Sequence, residues 1–145
     1  MWSFEHSVEC RASREFAWQF WTTFSNWPAV DSSVESVTLD GPFATGTKGT
    51  TYPRGMDAVR WELIEVQDYK SATIEIPAPG AVLQCIWTFE DTANGGARLT
   101  QRASIEGERA DDYAAMGAMM EQGMPQAMQR MAEAIDQGHN EQSTD

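Results

Sequence analysis

Apolar and polar residues alternate strictly at the start of the chain. Serine or glutamate fills every second position from Ser3 to Glu9, and the positions around them are Trp2, Phe4, His6, Val8 and Cys10. A period of two predicts a β-strand with one buried face. A helical period follows, because Phe16, Phe20 and Phe24 recur at every fourth position. Ser13 is placed to cap this helix, and Trp27-Pro28 indicates the start of a second, short helix.

The period returns to two after Ser33. It predicts six further strands, over Val34–Leu39, Thr47–Tyr52, Ala58–Val66, Ala72–Ile76, Val82–Glu90 and Arg98–Glu106. The segments between them are too short for a crossover helix, so strands adjacent in sequence are expected to pair antiparallel. Asn94-Gly95 is typical of a tight hairpin turn.

A long amphipathic helix is predicted from about Ala110 to Gln137. Its apolar face is rich in methionine and comprises Tyr113, Met116, Gly117, Met120, Met124, Ala127, Met128, Met131 and Ile135. Methionine fits irregular apolar shapes, so this face suits an adaptable pocket or a loosely specified core. Met119 lies off the face and is expected to meet solvent or a partner. Pro125 removes a backbone donor, which predicts a discontinuity within one turn.

These elements predict an α+β domain with the order β-α-α-β₆-α. The apolar face of a single antiparallel sheet must be covered, and the methionine-rich helix is the element available to cover it. We therefore expect a curled seven-stranded sheet wrapped around the terminal helix, with a cavity where the wrap is incomplete. Residues 1–138 are expected to form one domain. Residues 139–145 are expected to form a disordered acidic tail.

Several segments, taken in order, resemble one known superfamily. They are the opening strand 4–9 with 12–18, then Phe24-Ser25-Asn26-Trp27-Pro28, 34–37, 41–47, the hairpin 87–90 to 95–100, and Met124-Pro125-Gln126-Ala127-Met128. Together they are similar to the START/Bet v 1-like (SRPBCC) superfamily with its helix-grip fold, and to its polyketide cyclase/dehydrase and lipid-transport group. The resemblance implies a deep cavity for lipids, polyketides, steroids or similar apolar molecules. It leaves the reaction open, because one fold hosts many functions.

The composition of the chain limits the classes of binding partner that are expected. The formal net charge is −12, and the ten Lys and Arg residues are scattered. Nucleic-acid binding needs clustered basic residues, so neither nucleic acid nor an anionic membrane surface is expected as a partner. No apolar run reaches about 18 residues, so stable membrane insertion is not expected. The opening residues show no secretory signal pattern and the two cysteines no disulfide framework, so a cytoplasmic protein, monomeric or homodimeric, is expected.

Three residues are candidates for catalysis. His6 shares the apolar strand face and can serve in acid–base chemistry, although a core histidine bonded to the backbone is the simpler interpretation. Gln101 lies on the inward parity of the last strand and needs a polar partner, either within the protein or on a ligand. A sheet that closes beside its first strand would place it near His6. Tyr113 begins the methionine face, and its hydroxyl can reach a ligand or the solvent rim.

The ligand-contacting residues are predicted from the positions of the strands and of the terminal helix that face inward. They are Trp61, Ile74, Ile76, Trp87, Phe89, Leu99, Gln101, Tyr113, Met116, Met120, Met124 and Met128. No metal-ligand spacing or phosphate-binding loop is recognisable, so no metal and no cofactor are expected. The leading hypothesis is a binder or carrier of a small hydrophobic molecule. The alternatives are a cyclase or dehydratase using the same cavity, and a protein-interaction module whose cavity is vestigial.

Overall fold

The computed structural model describes residues 2–31 and 34–143, with the backbone alone for 141–143. It opens with strand β1 (Trp2–Cys10), helix α1 (Arg14–Thr22), a 3-10 turn (Phe24–Asn26) and helix α2 (Trp27–Val30). Six strands follow: β2 (Val34–Leu39), β3 (Lys48–Pro53), β4 (Val59–Gln67), β5 (Ser71–Ala78), β6 (Ala81–Asp91) and β7 (Ala97–Glu106). A second 3-10 turn (Ala110–Tyr113) leads into the terminal helix α3 (Ala114–Ser143).

All seven strands form one curled antiparallel sheet in the order β1-β7-β6-β5-β4-β3-β2. The predicted fold is confirmed, including the return of the last strand to the first. In that pairing His6 stands directly opposite Gln101. The β6–β7 hairpin turns at Asn94-Gly95, where Gly95 adopts a φ of 87° that favours glycine.

Helix α1 covers one end of the sheet. Its cap is Ser13, whose Oγ accepts a hydrogen bond from the backbone N–H of Phe16 at 3.2 Å. Trp18 and Trp21 on its buried face pack against Phe89 of β6, with ring centroids 5.2 and 5.4 Å apart. This aromatic core fixes α1 on the sheet and leaves the central strands beside it to be covered by α3.

The C-terminal half of α3 is firmly packed. Met128, Met131, Ala132 and Ile135 are buried, against β1 and α1 among other elements. Asp136 adds a polar tie between the helix and the segment after β1, because its Oδ1 accepts hydrogen bonds from the backbone N–H groups of residues 11 and 12 at 2.9 and 3.0 Å.

The N-terminal half of α3 is tied down at fewer points. Trp2 Nε1–H donates to Glu121 Oε1 at 2.7 Å, and just before the helix the Tyr113 hydroxyl donates to the Pro79 carbonyl at 2.8 Å. Gly117 lets the helix approach the Trp2 ring, since a Cβ there would lie 3.0 Å from ring atoms. This half of the helix spans the open part of the sheet.

One expectation about α3 is wrong. The helix runs through Pro125 without interruption. Glu121 and Gln122 in the preceding turn are exposed, so water can replace the backbone donor that proline lacks. Helix α3 continues through residues 139–143, within the segment 139–145 that was expected to form a tail. The His139 ring packs edge-on against Phe16 at 5.2 Å, which holds this last part of the helix on α1. Residues 144 and 145 lie outside the described residues.

Candidate ligand cavity

A cavity of ≈ 670 Å³ lies between the sheet and α3. The strands supply its floor, through Thr51, Trp61, Ile74, Ile76, Cys85, Trp87 and Gln101. The first helices and the residue after them supply one side, through Trp21, Trp27, Val30 and Asp31. Helix α3 supplies the roof. The helix therefore covers the sheet without filling the space above its central strands.

The roof is built from the methionine cluster. All six methionines of that cluster border the cavity: Met116, Met119, Met120, Met124, Met128 and Met131. Met124, Met128 and Met131 are buried, whereas Met119 is 72% exposed at the rim. The prediction that Met119 meets solvent is correct, although it also borders the opening. A roof of unbranched thioether side chains can change shape around a guest at low cost.

Four of the six tryptophans form the aromatic walls: Trp21, Trp27, Trp61 and Trp87. Their ring orientations are set by contacts within the protein. Trp27 Nε1–H donates to the Trp21 carbonyl at 2.8 Å, and Trp61 Nε1–H donates to Thr51 Oγ1 at 3.0 Å. The Trp21 and Trp87 rings pack 5.2 Å apart at an angle of 39°. Flat walls fixed in this way suit planar apolar molecules.

The position of Trp61 depends on Gly49, its neighbour across β3 and β4. A Cβ at Gly49 would lie 2.8 Å from Trp61 Cζ3 and closer still to Cη2 and Cζ2. The indole ring therefore lies flat over a backbone position that only glycine can occupy without displacing it. Sequence reasoning missed this residue, because nothing in the local pattern distinguishes a glycine beneath a ring from one in a turn.

Few polar side chains border the cavity. On the floor, the Gln101 side chain is a neighbour of the Cys85 thiol. Burial raises the pKa of the Cys85 thiol to about 11, and the neighbouring Gln101 side chain opposes that shift only in part. Cys85 is therefore a neutral thiol near pH 7, which makes it a poor nucleophile. Thr51, Asp31 and Arg130 are further polar lining residues.

Nine of the twelve predicted ligand-contacting residues border the cavity: Trp61, Ile74, Ile76, Trp87, Gln101, Met116, Met120, Met124 and Met128. The other three do not. Phe89 and Leu99 are buried beneath α1 at the end of the sheet, where core packing leaves no space. Tyr113 precedes α3 and packs its ring on a separate apolar cluster around Ile105, with its hydroxyl bonded to the Pro79 carbonyl.

The three catalytic candidates do not come together in the cavity. Gln101 is in the cavity floor, Tyr113 lies outside it, and His6 is on β1. The expected proximity of His6 to Gln101 is confirmed by the strand register. His6 nevertheless does not border the cavity, because α3 packs against β1. Within residues 2–31 and 34–140, no three His, Cys, Asp or Glu side chains gather where they could hold a metal ion. In the same part of the chain no helix has the length and apolarity needed to cross a membrane.

The sequence matches the family model described as polyketide cyclase / dehydrase and lipid transport over residues 1–136. The chain belongs to this family. Among curated proteins, none matches the chain as a relative. The family assignment confirms the resemblance inferred from the sequence, and it is consistent with a cavity-forming fold.

Solved structures with the same helix-grip fold support the architecture. Protein MLL2253 from Mesorhizobium loti is 16% identical with a TM-score of 0.75, over 94% of this chain and 98% of that chain. Protein NE0264 from Nitrosomonas europaea is 14% identical with a TM-score of 0.74, over 95% and 96%. Norcoclaurine synthase from Thalictrum flavum, solved with dopamine and hydroxybenzaldehyde, is 14% identical with a TM-score of 0.73, over 97% and 87%. At these identities the likeness is one of fold.

Proposed function

We propose that this protein binds a small hydrophobic molecule, with a preference for planar aromatic ones over flexible lipids, in the cavity under α3. The observation that carries the proposal is the lining, which includes four tryptophans and six methionines. A volume of ≈ 670 Å³ is in the range of small-molecule sites, about 300–1,000 Å³. Apolar surface moved from water into this space contributes about 25 cal/mol per Å².

The preference for a planar guest follows from the walls. Trp27 and Trp61 have their N–H groups occupied by protein acceptors, so they present ring surface to the interior. Aromatic rings bind other rings in offset or edge-to-face geometry, which a flexible alkyl chain cannot exploit. Norcoclaurine synthase, which has the same fold, was solved with two aromatic molecules, dopamine and hydroxybenzaldehyde. That complex supports the proposal by showing a protein of this fold together with aromatic molecules.

A catalytic role has less support. Acid–base catalysis needs at least two polar groups within hydrogen-bond reach of the reacting atoms. Of the predicted candidates His6, Gln101 and Tyr113, Gln101 alone borders the cavity, and the other polar lining residues Thr51, Asp31 and Arg130 come from three separate parts of the fold, β3, the end of α2 and α3. A vestigial cavity in an interaction module has less support still, because such a module would have a collapsed interior. Binding is therefore the function that the geometry favours.

The test is to fill the cavity from its roof. Ala127 borders the cavity, so Ala127→Phe would place a ring inside it. Ala118→Phe is the matched control, because Ala118 is exposed on the same helix. Binding of isopropenylnaphthalene would be measured by calorimetry and by quenching of tryptophan fluorescence. We expect binding by the wild type and by Ala118→Phe, and its loss in Ala127→Phe. Unchanged binding in Ala127→Phe, or no binding by the wild type, would contradict the proposal.

A further inference from the structure

Among the described residues that border the cavity, three are exposed to solvent: Met119, Gly123 and Arg130. At about 100° per residue these three lie within about 40° of one another around the helix axis, so they form one stripe along α3. A residue that borders the cavity and also meets solvent stands at the opening. This stripe, which we call the α3 rim, therefore forms one edge of the cavity opening, roughly 17 Å long at a rise of about 1.5 Å per residue.

Gly123 leaves the middle of the α3 rim without a side chain. A Cβ at Gly123 would meet no other described part of the chain within 4 Å. Glycine inside a helix is destabilising relative to alanine, and here no close contact requires it. Gly117 on the same helix differs, because a Cβ there would lie 3.0 Å from the Trp2 ring. The opening therefore has space at Gly123 for the polar end of a guest whose rings lie inside.

Arg130 supplies a positive charge at the end of the α3 rim. Asp31 is the other charged residue among the described lining residues, and it already has a partner in the protein. Arg130 has no ion-pair partner among the described residues. Such partners are present for Arg11, Arg14, Arg60, Arg98 and Arg109. Because Arg130 is exposed and unpaired, its side chain can turn toward an anionic group at the opening, and a guanidinium binds a carboxylate through two parallel N–H···O bonds.

We propose that the α3 rim recognises an anionic group, and that Arg130 binds the carboxylate of a planar aromatic acid whose rings lie in the cavity. The inference rests on the proposed function and narrows the guest to aromatic carboxylic acids. A carboxylate at the opening keeps part of its hydration, so it avoids most of the cost of placing a charge inside an apolar cavity. A singly charged carboxylate suits this chain better than a phosphate, because the net charge of −12 repels each further negative charge.

The experiment compares two probes of the same shape, one anionic and one neutral. Naphthoate carries a carboxylate, and isopropenylnaphthalene has CH₂ and CH₃ in place of the two oxygens. Arg130→Gln removes the positive charge and keeps a polar side chain. Arg102→Gln is the matched control for net charge, because Arg102 is exposed on β7 and does not border the cavity.

Affinities are measured by calorimetry at low ionic strength. We expect Arg130→Gln to weaken naphthoate binding about three- to tenfold, the effect of a charge-assisted hydrogen bond that water screens in part. The same variant should leave the affinity for isopropenylnaphthalene within about twofold. Arg102→Gln should leave both affinities within about twofold.

Salt provides a second measurement. The ratio of the naphthoate affinities of the wild type and Arg130→Gln should fall toward one at high ionic strength, because salt screens an exposed ion pair. Equal effects of Arg130→Gln on both probes, or equal weakening of naphthoate binding by Arg130→Gln and Arg102→Gln, would overturn the role of Arg130 and leave the binding function standing. Binding of isopropenylnaphthalene without binding of naphthoate would do the same. Failure of both probes to bind the wild type would overturn both proposals.

Discussion

Replacing Gly49 by alanine tests the geometry of the cavity wall directly. The new Cβ would fall 2.8 Å from Trp61 Cζ3, whereas packed carbon atoms lie about 3.5–4.0 Å apart. The Trp61 ring must therefore move by about 1 Å. Phe24 meets the ring edge-on at 5.7 Å, and Thr51 holds its N–H at 3.0 Å. The open direction is into the cavity.

The magnitude follows from these contacts. Overpacking a buried ring costs about 1–3 kcal/mol, and loss of the bond to Thr51 costs about 1 kcal/mol more. Alanine restricts the unfolded chain more than glycine does, so this effect raises the free energy of unfolding by about 0.5–1 kcal/mol and offsets part of the loss. We expect the free energy of unfolding to fall by about 1–3 kcal/mol. Because the displaced ring enters the cavity, isopropenylnaphthalene should also bind more weakly.

Urea denaturation monitored by tryptophan fluorescence measures the stability change, and calorimetry measures the affinity. With a slope of roughly 2 kcal/mol per M, the midpoint should fall by about 0.5–1.5 M. Gly41→Ala is the control, because a Cβ there would meet its nearest neighbours, two Thr47 side-chain atoms, at an ordinary 3.9 Å. It should change stability by less than about 0.5 kcal/mol. If both variants unfold at the same urea concentration, Trp61 does not lie over Gly49 as described.

Two further perturbations probe the packing of α3 and the buried thiols. Asp136→Ala removes the acceptor of two backbone N–H groups and should lower the free energy of unfolding, measured by urea titration, by about 2–3 kcal/mol. Asp136→Asn should lower it by less, and the exposed control Glu133→Ala by under about 0.5 kcal/mol. Equal losses for the two alanine variants would show that the Asp136 hydrogen bonds do not hold the helix in place. Burial raises the pKa of both Cys10 and Cys85 from 9.0 to about 11, so the unfolded chain loses these protons first and stability should fall as pH rises from 9 to 11. A Cys10→Ala, Cys85→Ala variant should lose less stability across that interval, and an identical profile would contradict the burial of the thiols.

The fold was largely predictable because its signals are local. A strand with one buried face must alternate, and the predicted strand Val34–Leu39 coincides with β2. Connections too short for a helix leave antiparallel neighbours as the outcome, which gives the strand order from β2 to β7. The failure at Pro125 has a different origin. Proline removes one bond, but whether the helix breaks depends on the solvent around it and on the packing of α3 on both sides.

The sequence predicted which residues point to the inner face of the sheet, but not which of them are covered by α1 and which remain open to the cavity. Parity shows that Phe89 points inward, but it cannot show that α1 covers it while Trp87, two residues earlier, remains open to the cavity. The contributions of Trp21 and Trp27 were missed for the same reason. Their helices precede most of the sheet in sequence, and only long-range packing turns their rings toward the central strands. Aromatic residues in both short helices were the available signal.

The two halves of α3 are held to the rest of the domain to different extents, so their sequences are constrained in different ways. Residues from Met128 to Asp136 hold the helix to the rest of the domain, whereas the roof extends forward to Met116 on a half with few ties. Exchanges near Met116 and Met120 therefore reshape the space offered to a guest and leave the packing of the C-terminal half intact. Under the proposed binding function, we therefore expect single substitutions at the front of α3 to change ligand preference while the back of the helix keeps the domain folded.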